Sequence, residues 1–463
     1  MNPHYDLIVI GSGPAGMRGA IQAAELGKKV LLVERTQIVG GATVHTSTIP
    51  SKTFRESVLF LTGWQRRGIY GRGYKAKNRI TIDDLRQRLN TTLKKEIDII
   101  QRELRRQNVE IVYGHARFKD EHTITVEEHR GNFSEYQADK MLIAVGTKTS
   151  RPDTLPFDGD TVIDSDEIIH LNRIPEKLLV IGGGVIGLEY ATIYGALDVE
   201  VTIIESSDRI LGFVDEEIVD QLIHDLSANK INLSLKEELI NVEKRDNGKL
   251  LCHLKGGKNI RVDTVLYAGG RQAVTDQLSL GQVGVATDNL GCIPVNDNYQ
   301  TSQANIYAAG DVTGFPGMTS TSMAQGRHAA CHAFGIAVED RPELFPYGIF
   351  SLPEISMVGL TEKQCNTRGI EFVTGRARFR DTARGKITGS HDGMLKMLFS
   401  VETQKLLGVH IIGESATEMV HTGQAVIALG GTLDYFMRTA FNYPTLAEAY
   451  KIAALDACSR MKT

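Results

Sequence analysis

Apolar runs and glycine turns alternate along the first half of this chain in a repeated order. Tyr5 to Ile10 is a nearly unbroken apolar run. Gly11-Ser12-Gly13-Pro14-Ala15-Gly16 follows, then a helical stretch, then a second apolar run ending in Glu34. The order returns at Leu178: an apolar run, Gly182-Gly183-Gly184-Val185-Ile186-Gly187, a helical stretch, Val201 to Ile204, and Glu205. Short apolar runs bounded by turns predict strands. In both copies the acid lies 23 positions after the first glycine. Strand, glycine turn, helix, strand and acid, so spaced, predict a dinucleotide-binding βαβ unit.

Each glycine has a physical reason. The first allows the tight turn, the second lets backbone N–H groups approach a pyrophosphate, and the third lets the helix pack on its strand. The pyrophosphate then meets the positive N-terminus of the helix, and the acid accepts hydrogen bonds from ribose hydroxyls. A single glycine triplet also serves ordinary turns. Two copies, each between strands and each with its acid in place, point to two dinucleotide sites.

Between the two units, Leu85, Leu89, Leu93, Ile97, Ile100 and Leu104 recur at three- and four-residue steps, which predicts one long amphipathic helix. Thr81-Ile82-Asp83-Asp84 offers its N-terminal cap, and Lys94, Lys95, Arg102, Arg105 and Arg106 form its solvated side. Beyond the second unit come the run Val265 to Arg271 and a glycine-aspartate element, Tyr307-Ala308-Ala309-Gly310-Asp311. From about Leu344 onward the dinucleotide signals stop. Alternating strand-like runs and a helical tail predict a separate terminal domain.

Composition narrows the setting. At 463 residues the chain is long enough for about three domains. A formal net charge of -4 gives no electrostatic reason to expect nucleic acid or an anionic membrane as partner. The most apolar long stretch, Leu178 to Ala196, is broken by glycines and by Glu189, so it reads as a buried strand-turn-helix and not a membrane span. No secretory signal is expected. The five cysteines, Cys252, Cys292, Cys331, Cys365 and Cys458, form no close pair. A reducing, cytoplasmic setting is expected, and no metal, because no His/Cys/Asp cluster has ligand spacing.

In order and over the whole chain, these motifs are similar to those of the pyridine nucleotide-disulfide oxidoreductase family, whose members include dihydrolipoamide dehydrogenase and glutathione reductase. Gly11, Gly13, Pro14, Ala15 and Gly16 with Glu34 resemble the family's FAD fingerprint. Met141 to Thr147, with Gly146, resembles its strand-and-turn crossing between domains. Gly182, Gly184, Val185, Ile186 and Gly187 with Glu205 resemble its nicotinamide-nucleotide fingerprint. Ala309-Gly310-Asp311 resembles the second FAD motif, whose aspartate holds the ribitol chain, and Gly270 joins the expected cofactor-binding set. The resemblance implies an α/β fold class: two Rossmann-like dinucleotide-binding domains plus a C-terminal α+β dimerisation domain. Its expected divisions are FAD-binding in 1–150 and 273–343, NAD(P)-binding in 151–272, and dimerisation in 344–463.

The chain departs from the family where the chemistry is carried. The disulfide reductases hold two redox cysteines at a CxxxxC spacing in the stretch Gly40 to Lys52; here those positions are Thr43 and Thr48. Hydroxyls form no disulfide. The tail departs in step. Phe441 to Glu448 aligns with the family's HxHPTxxE, but the histidine before the proline is Tyr443, and Glu448 aligns with that histidine's carboxylate partner. A phenol with an unperturbed pKa near 10 is a poor base at neutral pH.

One branch of the family, the soluble pyridine nucleotide transhydrogenases, is similar in combining a threonine at the second cysteine position with this tail. The match extends to Lys405–Gly408, Glu414–Thr422 and Tyr450–Asp456. Some members keep the first cysteine; this chain does not. The resemblance implies FAD-dependent hydride transfer between NADPH and NAD by a ping-pong route. FAD, NAD(H) and NADP(H) are then the cofactors and nicotinamide nucleotides the substrates. It also implies a homodimer in which Tyr443 and Glu448 serve the neighbouring subunit's flavin. Lys52 aligns with the family's lysine beside the flavin and Glu189 with its acidic partner, so Lys52, Glu189, Tyr443 and Glu448 are the expected catalytic set. Thr43 and Thr48 are expected to hydrogen-bond near the flavin, and His45 to be structural. Arg209, with Ser206 and Ser207, is expected within reach of a 2′-phosphate. An NADH diaphorase or quinone reductase of the same fold is the alternative reading.

Overall fold

The computed structural model describes residues 3–71, 73–129, 131–245, 248–314, 316–338 and 344–461. The chain divides into two compact units. One comprises Met1–Phe54, Arg86–Ser150 and Gly270–Arg341, the other Arg55–Leu85, Arg151–Gly269 and Pro342–Thr463. The domain boundary expected at 343 lies outside the described residues.

In the first unit, strand His4–Ile10 pairs in parallel with Val30–Glu34 on one side and Phe133–Ile143 on the other. Glu110–Asp120 extends the parallel sheet beyond Val30–Glu34, and Ile306–Ala308 beyond Phe133–Ile143. This is the strand order of a doubly wound nucleotide-binding sheet. Successive side chains on a strand point to opposite faces, so the apolar run splits evenly. Ile8, Ile10, Leu31 and Val33 enter one core, while Leu7, Val9, Val30 and Leu32 enter the other. That is why these strands read as unbroken apolar runs. Helix Ile82–Arg106 buries Leu89, Ile100 and Leu104 and exposes Lys94, Lys95, Arg102, Arg105 and Arg106, as its periodicity requires.

In the second unit a five-stranded parallel sheet runs in the order Asn232–Leu235, Glu200–Glu205, Lys177–Ile181, Thr264–Tyr267, Val162–Asp164. Helix Val185–Ala196 is buried nearly all round, which explains its uniformly apolar sequence. A second five-stranded sheet is antiparallel: Tyr347–Ile349, Ile355–Gly359, Leu406–Ile412, Met394–Ser400 and Phe372–Arg378. Helices Ala416–Ala428 and Glu448–Met461 pack on it through Val420, Val426, Tyr450, Ala453 and Ala457. The expected fold class, two Rossmann-like sheets and a C-terminal α+β domain, is the one observed. Among the described residues no helix is long and apolar enough to cross a membrane. No group of three or more His, Cys, Asp or Glu among those residues could hold a metal ion.

A buried charge ties the antiparallel sheet to helix Glu216–Ala228. Lys396, with a side chain only 2% exposed, donates to Asp215 at 2.8 Å and lies 3.1 Å from Glu217 and 2.7 Å from Glu362. Burial alone would lower the Lys396 pKa. Hydrogen bonds to Asp215 and Glu362 outweigh it and raise the pKa, so the ammonium stays charged. Asp215 also caps the helix, accepting from the Glu217 N–H.

Farther along that helix, Asp225 is 6% exposed. One of its carboxylate oxygens accepts from Gln221, and the other is buried with no hydrogen-bond partner among the described residues. Burial, reinforced by Asp392, pushes its pKa from 3.8 up to about 6. Below about pH 4 the carboxyl is neutral in folded and unfolded chains alike and costs nothing. Between about pH 4 and 6 the unfolded chain ionises first, so stability falls by ~1.4 kcal/mol per pH unit, roughly 3 kcal/mol in all, and stays lost above. Asp225→Asn is therefore expected to exceed the parent in stability at pH 7.5, with the gain shrinking toward pH 4. Denaturant melts at both pH values check this, and an equal difference at both would contradict it.

Candidate functional site

The two glycine turns have almost the same geometry. Gly11 has φ +104 and Gly182 φ +108, a region that favours glycine. A Cβ on Gly11 would lie 2.4 Å from the Ala144 carbonyl oxygen, and one on Gly182 would lie 2.6 Å from that of Ala268. The third glycines are closed as tightly. A Cβ on Gly16 would sit 1.9 Å from the Gly11 oxygen, and one on Gly187 would sit 2.1 Å from the Gly182 oxygen. Any side chain at these positions would push the helix off its strand.

The middle glycines differ in kind. Gly13 and Gly184 have ordinary extended backbones (φ -64 and -77), and a Cβ on either would meet nothing within 4 Å. Each is the N-cap of its helix, Pro14–Glu25 or Val185–Ala196, and neither makes a side-chain capping bond. The first turn of each helix thus presents backbone donors and a positive dipole end to open space. Such an end fits a pyrophosphate, so the residues present fit FAD at the first turn and a nicotinamide nucleotide at the second.

Each acid is locked onto its own turn. Glu34, 5% exposed, accepts from the Ser12 N–H at 3.1 Å, the Ser12 hydroxyl at 2.6 Å and the Thr36 N–H at 2.9 Å. Glu205 accepts from the Gly183 N–H at 2.7 Å and the Ser207 N–H at 2.8 Å. Burial alone would raise the Glu205 pKa; bonds from Ser207 and Gly183 outweigh it and hold the pKa below the usual range, so the group is a carboxylate at neutral pH.

Around the first turn, Gly310 (φ +84) donates its N–H to Gln325 at 2.8 Å, and a Cβ there would lie 3.0 Å from that of Ala15. The half-buried Asp311 accepts from Ser322 at 3.3 Å. The glycine-aspartate element and the first glycine turn therefore meet, although nearly 300 residues separate them in sequence. Thr48 hydrogen-bonds Thr319 at 3.1 Å, and Thr43 is half-buried in the short helix Gly41–His45. His45 bonds the Val39 carbonyl at 3.0 Å. Lys52, half-buried on helix Thr48–Thr62, reaches the Ser51 hydroxyl at 3.3 Å. Gly146 (φ +65) is open, and the Gly270 carbonyl accepts from the Ser150 N–H at 3.1 Å.

Around the second turn, Glu189 is 5% exposed and accepts from the Phe350 N–H at 2.9 Å. Arg209 is engaged elsewhere, donating to Asp220 at 2.7 Å and to the Glu216 carbonyl at 2.9 Å. Glu448 accepts from the Ala383 N–H at 3.0 Å, while Tyr443 is 69% exposed. Sequence reasoning missed Ser12 and Asp220. Ser12 occupies the variable position inside the glycine triplet, where only the fold reveals that its hydroxyl also accepts from the Gly40 N–H at 2.9 Å. Asp220 lies in a helical stretch with no motif.

The family description "Pyridine nucleotide-disulphide oxidoreductase" matches residues 5–327, and that family's dimerisation domain matches 345–454. A protein called soluble pyridine nucleotide transhydrogenase, from Mycobacterium tuberculosis, is 47% identical over 459 residues, spanning 99% of this chain and 98% of the relative. One of the same name from Escherichia coli is 39% identical over 466 residues, spanning 99% of this chain and 100% of the relative. Among solved structures, LpdA from Mycobacterium tuberculosis superposes with a TM-score of 0.89 at 25% identity, covering 98% of this chain and 99% of that one. The HOCl-induced flavoprotein disulfide reductase RclA from Escherichia coli gives 0.87 at 25% identity, covering 97% and 99%.

The open middle glycines allow a clean test. Gly13→Ala and Gly184→Ala place a methyl where the protein has no atom, so both should fold and melt like the parent. Gly13→Ala is expected to purify with FAD content well below the parent's. Gly184→Ala is expected to keep its FAD and to bind NADH at least tenfold more weakly, about 1.4 kcal/mol. Unchanged FAD in the first variant, or unchanged NADH affinity in the second, would contradict the assignment of the two turns.

Proposed function

The chain belongs to the pyridine nucleotide-disulphide oxidoreductase family, and within it we propose that the protein is an FAD-dependent enzyme transferring hydride between NADPH and NAD without a redox disulfide. The single observation that carries this reading is the pair of matching glycine turns, each with an uncapped helix N-terminus and a locked carboxylate. One turn holds the flavin nucleotide and the other a nicotinamide nucleotide. The relatives called transhydrogenases, similar over their full length, favour a second nicotinamide nucleotide as the acceptor.

Thr43 and Thr48 stand where a reductase of the family needs cysteines, and the first cysteine of the chain is Cys252. All five cysteines are free. Burial pushes the Cys252 thiol up to about 12 and raises Cys331 and Cys365 as well. Buried, protonated thiols are poor nucleophiles, which supports a route that bypasses sulfur.

FAD, when bound, supplies a two-electron carrier that accepts and returns hydride. The chain's residues do the rest. The first turn of helix Val185–Ala196, from Gly184 to Gly187, presents backbone donors to whichever nucleotide is bound, and Glu205 offers its carboxylate to ribose hydroxyls. Reduced and oxidised nucleotides take turns at this one turn, which is the ping-pong order. Lys52 contributes a cation that stabilises negative charge developing during transfer, and the buried Glu189 is its acidic counterpart in the same task. The exposed Tyr443 and the half-buried Glu448 belong to a two-fold dimer, where they serve the partner subunit. A cytoplasmic setting goes with this chemistry.

Two measurements test the reading. Anaerobic NADPH should bleach the bound flavin with no long-wavelength thiolate charge-transfer band, and added NAD should restore the colour with one NADH formed per flavin. Bleaching that NAD cannot reverse would overturn the transhydrogenase in favour of a diaphorase. Lys52→Met should retain FAD but slow flavin reduction on the order of 100-fold; an unchanged rate would remove Lys52 from the mechanism.

A further inference from the structure

The loop after Glu205 is fixed from three sides. The Glu205 carboxylate rests on the Gly183 N–H at 2.7 Å. Ser207 and Glu205 give their carbonyls to the N–H groups of Lys236 and Glu237, both at 3.0 Å. The loop then folds back so that Ile210, 1% exposed, covers the turn: a Cβ on Gly183 would lie 2.4 Å from the Ile210 Cγ2. Arg209 immediately precedes Ile210 in this loop, four residues beyond Glu205.

Arg209 is the one cation in the segment Glu205 to Arg209, and it is already engaged. Its Nη2 donates to the Asp220 Oδ1 at 2.7 Å and to the Glu216 carbonyl at 2.9 Å. Its side chain is 34% exposed and that of Asp220 67%. The start of the helix that carries Asp220 is anchored through Asp215 to the buried Lys396. A nucleotide with a free 2′-hydroxyl asks only for the Glu205 acceptor. A nucleotide with a 2′-phosphate meets the Glu205 carboxylate and finds a guanidinium, the natural phosphate ligand, neutralised by another anion.

We propose that Asp220 is a specificity-determining residue: by occupying Arg209 it sets how strongly the site distinguishes 2′-phosphorylated nucleotides from unphosphorylated ones. The proposal rests on the reading of Gly182 to Gly187 as the nicotinamide-nucleotide turn. Asp220 acts through Arg209, so it positions and neutralises and does not itself touch the nucleotide. An enzyme that must accept both nucleotides in turn gains from a cation that is present but restrained: full release would trap the phosphorylated form, and absence would exclude it.

The test uses the FAD-loaded enzyme and two adenosine fragments, 2′,5′-ADP and 5′-AMP, measured by calorimetry. Asp220→Asn is expected to tighten 2′,5′-ADP roughly two- to fivefold, the range of an exposed ion pair, with 5′-AMP changed less than twofold. The kcat/KM ratio of NADPH to NADH should rise by the same factor, and Asp220→Glu should restore the parent's values. Arg209→Ala should weaken 2′,5′-ADP, and in that background Asp220→Asn should have no further effect. Unchanged 2′,5′-ADP affinity in Asp220→Asn, or a gain that persists without Arg209, would overturn the proposal. If neither fragment competes with NADH in the parent, the assignment of the turn itself falls, and the proposal with it.

Discussion

Each nucleotide-binding half depends on the near-contact of a helix with the strand that precedes it. With no side chain at Gly16 or Gly187, the helix backbone comes so close to the turn that a methyl group would collide with its carbonyl oxygen. This sets the first turn of the helix against the end of the sheet, with its backbone donors aimed outward and no side chain to satisfy them. The carboxylates of Glu34 and Glu205 then hold the turns in shape. In the proposed reading both sites consist mostly of backbone: affinity for anionic nucleotides comes from peptide dipoles, and the side chains Glu34, Glu205 and Asp311 deal with the hydroxyl-bearing parts.

In the proposed reading, Thr43, Thr48 and Tyr443 change what the family scaffold does without changing the scaffold. Thr43 lies in helix Gly41–His45, and Thr48 opens helix Thr48–Thr62 with its hydroxyl hydrogen-bonded to Thr319. On that proposal a base before the tail's proline would have no thiolate to serve, two-electron chemistry is confined to flavin and nicotinamide, and selectivity falls to Glu205, with the Arg209–Asp220 pair tuning it.

Much of this was legible in the sequence because it is local. A glycine turn is written in consecutive residues, and a strand buried on both faces shows itself as an apolar run such as Val30 to Val33. The long helix declared itself through Leu85 to Leu104, and its Thr81–Asp84 cap formed as expected, with the Thr81 N–H donating to Asp84 at 2.9 Å. The antiparallel additions were not legible. Thr123–Glu128, and the three strands Leu239–Lys244, Leu250–Leu254 and Asn259–Val262, are four to six residues long, too short for their alternation to stand out from the surrounding chain. The buried Lys396 lies in a strand whose only other polar residue is Ser400, and its carboxylates all come from positions more than 30 residues earlier in the chain. Pairings of that kind exist only once the chain has folded. The Arg209–Asp220 pair was missed for a related reason: a helix surface gives no sign of which neighbour it restrains.

If hydride passes without sulfur, the bound flavin is the sole two-electron store of the enzyme. Anaerobic titration of the purified enzyme with dithionite, followed by flavin absorbance, counts those electrons. Full reduction should take two electrons per FAD, with no intermediate absorbing at long wavelength. An endpoint at four electrons per FAD would reveal a second redox centre, a cysteine pair brought together by the fold, and hydride transfer through the flavin alone would be refuted.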